Sequence, residues 1–248
     1  MKGVTVIGHP LVQHGLARLR DGRWASSDGQ FYPEFDPAIH VIDRFLIPAE
    51  WPRFVAIDFG YTNPFVAQWW AMDEDRRMYR YREIYHAGRI VEDHTRDIIR
   101  LSGSERITAY VADHDAEDRA TMARHGIRTI AAEKGHSIGF QAVRERLRIQ
   151  GDGRPRLFFL RDSLVERDTN LSERALPTCT EAEFDGYAIA PNADGRAGKE
   201  EPQGVNDHGL DACRYGCTWA DCAVRPGRPA LGPSTVIMRR PTLGRLRA

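Results

Sequence analysis

Three aspartates stand at positions where a carboxylate could take part in chemistry. Asp58 ends the apolar run 54–57, Asp113 ends the run 107–112, and Asp211 lies inside the predicted C-terminal helix. A carboxylate at the end of a buried strand is costly to bury without a partner, and a bound cation is a suitable partner. Because hard divalent cations such as Mg²⁺ and Mn²⁺ prefer carboxylate oxygen, these acids predict a metal site.

Phosphodiester hydrolysis is the reaction that such a set of acids would support. Two Mg²⁺ or Mn²⁺ ions about 3.5–4 Å apart make a nucleophile from water and stabilise the charge that develops on phosphate. Asp207 and His208 are further candidate ligands, because positions 207, 208 and 211 can share one face of a helix. Clustered carboxylates repel one another, so we expect one of them to have a raised pKa without metal.

Each candidate also has an ordinary structural explanation. Asp207 precedes an apolar helical run and would serve as its N-cap. His208 would be a surface residue of the first helical turn, and Asp58 or Asp113 could bond the backbone of a turn. The combination of three acids, in this order and on these elements, favours the metal site over the separate explanations.

The elements that must position these acids follow from hydrophobic periodicity. A meander of three antiparallel strands comes first, then alternating helices and strands, and then a last helix over the sheet. This order predicts a ribonuclease-H-like α/β fold, a mixed sheet in which an antiparallel meander is followed by parallel strands, with helices on both faces. The predicted strands are 54–57, 65–72, 78–85, 107–112, 127–131, 157–160 and 184–189, and the predicted helices are 11–19, 90–101, 116–125, 137–149, 163–174 and 208–221.

Composition divides the chain into three parts. Residues 1–50 are predicted to be a lead-in that packs on the main domain, 51–224 the domain itself, and 225–248 a disordered basic tail. The formal net charge is zero, yet the tail carries six arginines and no acid. The four cysteines lack the spacing of a zinc site, and buried free thiols are expected. No apolar run is long enough to span a bilayer, so we expect no membrane partner.

The stretch Asn206–Tyr215 (NDHGLDACRY) is the most specific string in the chain. It resembles the third acidic motif of the nuclease domain of tailed-phage terminase large subunits, the DNA-packaging motor protein. The stretch Ala56–Pro64 (AIDFGYTNP) resembles the first acidic motif, and Val111–Asp113 resembles the second. The resemblance runs from about Leu16 to Tyr215, and its further matches lie at 29–35, 40–42, 47–51, 126–127, 132–135, 139 and 143.

The resemblance implies an endonuclease that cuts concatemeric double-stranded phage DNA with a divalent metal. Asp58, Asp113 and Asp211 would be its catalytic acids, with His208 near the metals. It also implies an ATPase domain, a portal protein and a small terminase as partners, and a location in the host cell cytoplasm. Because no GxxxxGK[ST] string occurs, ATP-driven translocation is not expected of this polypeptide. We expect an excised nuclease domain or a truncated or split gene.

Basic residues near the third motif are candidates for contacts with DNA phosphates. They are Lys134, Arg144, Arg148, Arg196 and Lys199, with Arg146 beside them, and the loop 191–204 could guide DNA. Three other readings remain open at this point. They are a Holliday-junction resolvase or transposase relative that uses the same acids, an actin-like ATP-binding protein, and a non-catalytic module that docks on DNA or a portal.

Overall fold

A computed structural model describes residues 29–133, 135–190 and 201–223. The described strands form one seven-stranded sheet in the order β1-β7-β4-β3-β2-β5-β6. The strands are β1 (Val41–Ile42), β2 (Arg53–Asp58), β3 (Phe65–Met72), β4 (Met78–His86), β5 (Ile107–Ala112), β6 (Ile130–Ala131) and β7 (Leu157–Leu160). The helices are α1 (Pro37–His40), α2 (Val91–Ser102), α3 (Ala116–Arg124), α4 (His136–Leu147), α5 (Thr169–Glu173), α6 (Thr180–Phe184) and α7 (His208–Ala223).

The centre of the sheet is the predicted antiparallel meander, and the outer strands run parallel to it. Strands β2, β3 and β4 pair antiparallel in chain order. Strand β5 then pairs parallel with β2, and β6 pairs parallel with β5. On the other side, β7 pairs parallel with β4, and β1 pairs parallel with β7. The prediction of a meander followed by parallel strands is therefore confirmed.

Helices cover both faces of the sheet, which is why the central strands read as largely apolar runs. On β2, Phe54 and Ala56 pack toward α4 and α7. Val55 and Ile57 point to the opposite face, where α2 and α3 contribute Ile98 and Met122 to a second core. Because β2 borders an apolar core on each face, its acid stands at the strand end.

Helix α7 lies against β2, β3 and β5 at short distance. Gly216 makes this approach possible, because a Cβ at that position would lie 3.3 Å from the Cβ of Ala56 and 3.3 Å from a ring carbon of Phe54. Buried Cys213 and Cys217 face the same core. The predicted free thiols are confirmed, since all four cysteines are unbridged and these two are buried.

Two predicted elements are wrong. Of the helix expected over 163–174, only Thr169–Glu173 is helical, because the Asp168 side chain caps a helix that begins there. Residues 163–165 instead bond to β4, where Val165 N–H donates to Glu83 O at 2.9 Å. The strand expected over 184–189 is also absent from the described residues, since Phe184 ends α6 and Ala188 and Ile189 make single bridges.

The segment before residue 51 contributes to the main core. Phe31, Tyr32 and Phe35 are buried beside Phe184 and Tyr187, and β1 forms one edge of the sheet. The predicted helix 11–19 and the basic tail 225–248 lie outside the described residues, and the domain boundaries stay predictions. In the part of the chain that the structure describes, every helix is too short or too polar to cross a membrane.

Candidate functional site

Asp58 and Asp113 emerge side by side from neighbouring parallel strands. Ile57 on β2 is paired with Ala112 on β5, so the two acids follow at the same end of the sheet. The N–H of Asp113 donates to Ile57 O at 3.2 Å, which carries the pairing to the acid itself. Parallel strands place their carboxyl ends at one edge of the sheet, and this edge is where ligands bind in many α/β proteins.

Helix α7 brings its first turn to the same edge. The Nδ1 atom of His208 lies 3.1 Å from Oδ2 of Asp58, and the hydroxyl of Tyr215 donates to Oδ1 of Asp58 at 3.4 Å. Asp211 follows one helical turn after His208. Its Oδ1 accepts hydrogen bonds from Arg214, at 3.1 Å from Nε and 2.8 Å from Nη2. Two carboxylates of the site therefore already have cationic or imidazole partners from α7.

Asp58 interacts electrostatically with both Asp211 and Asp113. Burial raises the pKa of Asp58 from 3.8 to about 7, the charges of Asp211 and Asp113 contribute to this increase, and the His208 hydrogen bond opposes it. Burial lowers the pKa of His208, but its contact with Asp58 outweighs that effect and the net shift is upward. Burial and the charge of Asp211 also raise the pKa of Asp207. A raised pKa was predicted for one acid of the cluster and is found at Asp58, but its largest cause is burial and not the predicted repulsion between carboxylates.

The side chains at this edge carry the oxygen ligands that a hard divalent cation prefers, but they do not converge on one point. Carboxylates from three elements supply the oxygen ligands that Mg²⁺ and Mn²⁺ prefer. Within the described residues, however, no three His, Cys, Asp or Glu side chains stand close enough together to hold a metal ion. Asp58 is turned toward His208, and Asp211 is turned toward Arg214. Metal coordination would require these side chains to change their orientation.

Two open clefts flank the acids. One cleft of about 460 Å³ is lined by Asp207 and Asp211 together with His136, Phe140 and Arg144. The second, of about 410 Å³, is lined by Asp113 and contains Gly60, Tyr61 and Arg89 at its wall. Asp58 is only 7% exposed and belongs to neither lining.

The predicted DNA-binding residues differ in their exposure and in the groups that they contact. Arg144 lines the first cleft, although its Nη2 donates to Phe31 O at 2.6 Å. Arg148 is half exposed and pairs with Glu145 at 2.7 Å. Arg146 is buried and pairs with Asp221 at 2.5 Å, so it does not face a ligand. The remaining candidates, Lys134, Arg196 and Lys199, lie outside the described residues.

Sequence reasoning missed the residues that hold the start of α7. Asp207 stands at the predicted N-cap, but the N–H groups of Gly209 and Leu210 donate to the buried carboxylate of Glu183 on α6. Glu183 and Gly209 lie 26 residues apart in the chain. No local pattern predicts such a contact, because it depends on how α6 and α7 meet in three dimensions.

The mixed sheet with helices on both faces is a ribonuclease-H-like fold, as predicted. Solved structures with this fold include two phage terminase proteins. A large terminase from a thermophilic bacteriophage matches with a TM-score of 0.60 and 22% identity, over 76% of this chain and 44% of that one. The P22 large terminase nuclease domain matches with a TM-score of 0.58 and 16% identity, over 83% of this chain and 95% of that one.

The chain therefore has the fold of a terminase nuclease domain. The match spans less than half the length of the thermophilic phage's large terminase, and almost all of the P22 nuclease domain. Neither the protein-family models nor the curated proteins give a match to this sequence. The likeness thus establishes the architecture of the chain.

Proposed function

We propose that this chain is a divalent-metal-dependent endonuclease of the terminase nuclease class, which cuts concatemeric double-stranded DNA during phage packaging. The observation that supports the proposal is that Asp58 and Asp113 follow paired strands at one sheet edge, beside the helix that carries Asp211. Burial raises the pKa of Asp58, and the charges of Asp211 and Asp113 add to this increase. The fold shared with the P22 nuclease domain supports it.

The three acids have different parts in this proposal. Asp58, which contacts α7 through His208, would hold the cations together with Asp113 and Asp211. When bound, a pair of Mg²⁺ or Mn²⁺ ions would supply an activated water and stabilise charge on the phosphate. Asp207 borders the cleft beside Asp211 and is a further candidate ligand.

His208 and Arg214 form hydrogen bonds with the proposed metal-binding acids and are not themselves ligands in the present arrangement. His208 holds a proton more firmly than a free imidazole because Asp58 lies beside it. Arg214 donates two hydrogen bonds to Oδ1 of Asp211, and this carboxylate would have to turn from Arg214 to reach a cation.

The partners follow from the same proposal. The cleft beside Asp211, with Arg144 in its lining, is the surface where we place the DNA backbone. In a complete packaging motor, the ATPase domain, portal protein and small terminase would be the further partners, and the host cytoplasm the site of action. Mg²⁺ and Mn²⁺ are the proposed cofactors.

Plasmid nicking with Mn²⁺ tests the proposal. The wild-type chain should convert supercoiled plasmid to nicked and linear forms, and Asp113→Asn should reduce the rate by at least about 100-fold, because the lost carboxylate acts in the transition state. Glu117→Gln is the matched control, since Glu117 is exposed on the neighbouring helix α3. Equal rates for all three proteins would contradict the proposal, and cutting of branched but not linear duplex would assign a resolvase instead.

A further inference from the structure

Glu183 is a buried acid that the proposed chemistry does not use. It lies on α6 and is 1% exposed. Its Oε1 accepts hydrogen bonds from the hydroxyl of Tyr85 at 2.7 Å and from Gly209 N–H at 2.8 Å, and its Oε2 accepts from Leu210 N–H at 2.8 Å. A carboxylate removed from water to this extent is retained only where donors replace the lost hydration.

Two of these donors belong to the first turn of α7. The first N–H groups of a helix have no partner within the helix, and the helix dipole favours a negative charge near them. Gly209 and Leu210 are flanked by His208, which contacts Asp58, and by Asp211. The carboxylate of Glu183 therefore fixes the backbone from which two residues of the candidate site project.

A second contact holds the same peptide from the sheet side. Nε2 of Gln68 on β3 donates to Gly209 O at 2.8 Å and to Oγ1 of Thr180 at 2.6 Å. Gly209 also fits closely, since a Cβ there would lie 2.3 Å from Oγ1 of Thr180. The N–H and the carbonyl of Gly209 are thus both bonded to buried side chains, and this turn has little freedom to shift.

We propose that Glu183 is a positioning residue, which locks the backbone of the first turn of α7. This lock places His208 beside Asp58 in the metal-free protein and keeps Asp211 at the same sheet edge. The part of this inference that concerns Asp211 and metal rests on the proposed function. The part that concerns His208 and Asp58 does not.

The matched pair Glu183→Gln and Glu181→Gln tests the inference. Glutamine keeps the volume at 183, but its NH₂ group would face a backbone N–H of α7, so one bond is lost. Glu181 lies on the same helix and pairs with the buried Arg80 instead, so its substitution removes a part-buried contact that does not involve α7. Two readouts apply to the folded proteins: the Kd for Mn²⁺ by calorimetry, and the imidazole ¹⁵N signal of His208 at fixed pH.

We expect Glu183→Gln to raise the Kd for Mn²⁺ about tenfold or more, as is common when an outer support of a metal ligand is removed, and to shift the His208 signal. Glu181→Gln should leave the Kd within about twofold and the signal in place. Equal effects of the two variants, or no change with Glu183→Gln, would overturn the inference. Absence of Mn²⁺ binding to the wild type would overturn the proposed function, and the His208 signal would then decide the positioning role.

A milder variant covers the case in which Glu183→Gln does not fold. Tyr85→Phe removes the third donor to Glu183 without touching α7. It should loosen the carboxylate and raise the Kd about threefold, with a smaller shift of the His208 signal. Unchanged values of both readouts in a folded Tyr85→Phe protein would overturn the inference.

Discussion

Acidification from pH 8 to pH 6 should weaken Mn²⁺ binding about tenfold, because the carboxyl of Asp58 must lose its proton before it can coordinate. The pKa of Asp58 in the metal-free protein is about 7. Below this pH most Asp58 carboxyls are protonated, and protons compete with the cation for the carboxylate. The affinity for Mn²⁺ then falls about tenfold for each further pH unit, whereas above the pKa it levels off. With its ordinary pKa of 3.8, Asp58 would make the affinity flat over this range.

Calorimetric titrations in two buffers of different ionisation enthalpy measure the protons released on binding. From the pKa of about 7 we expect roughly 0.9 proton released from Asp58 at pH 6, about half a proton at pH 7 and about 0.1 at pH 8. The exposed-site control Glu117→Gln should give the same values. Tight Mn²⁺ binding with no proton release between pH 6 and pH 8 would refute the reasoning, because it would mean that the buried carboxyl is already ionised.

Three further predictions concern stability in urea unfolding. The metal-free Asp58→Asn variant should be more stable at pH 8, by up to about 4 kcal/mol, because a carboxyl whose pKa rises on folding opposes folding above its unfolded pKa; equal stability would refute the burial argument. Asp211→Asn should instead lose about 1–2 kcal/mol of stability, since Arg214 is 4% exposed and would lose its hydrogen-bonded counter-charge, the partly exposed Asp211; a gain in stability like that of Asp58→Asn would contradict this contrast. Burial lowers the pKa of His94 from 6.5 to about 4, so the unfolded chain binds the extra proton first and the wild type should lose about 1 kcal/mol between pH 7.5 and pH 5.5; His94→Phe should remove this portion of the pH dependence, and an unchanged slope would rule it out.

The elements that the sequence predicts well are those with strong local signals. Strands β3 and β7 match their predicted bounds, Phe65–Met72 and Leu157–Leu160, because burial on both faces makes each of them a nearly continuous apolar run with polar or breaking residues at its ends. The start of α7 at His208 is similarly marked by the change from a polar loop to an apolar helical run.

The failures occur where distant partners decide the structure. Residues 163–165 have a helical pattern, but β4 offers their backbone a partner, and the side chain of Asp168 then starts the helix later. Phe184 and Tyr187 are buried like strand residues, yet they pack on Phe35 and Phe31 from the start of the described chain.

The candidate site was predictable as a set of acids, but its supports were not. That Asp58 and Asp113 lie at neighbouring strand ends follows from the order of elements once β5 is placed beside β2. The bonds from Glu183 and Gln68 to Gly209 cross 26 and 141 residues of chain, and only the packing of α6 and α7 on the sheet brings them together.

A crystal of this chain soaked in Mn²⁺ tests the central claim most directly, because anomalous scattering locates the metal without reference to activity. We predict two peaks about 3.5–4 Å apart, with carboxylate oxygens of Asp58, Asp113 and Asp211 at about 2.0–2.3 Å from them. Density at other surface acids, with Asp58 still on His208 and no peak beside Asp113, would contradict the claim that these three residues form a metal-dependent nuclease site.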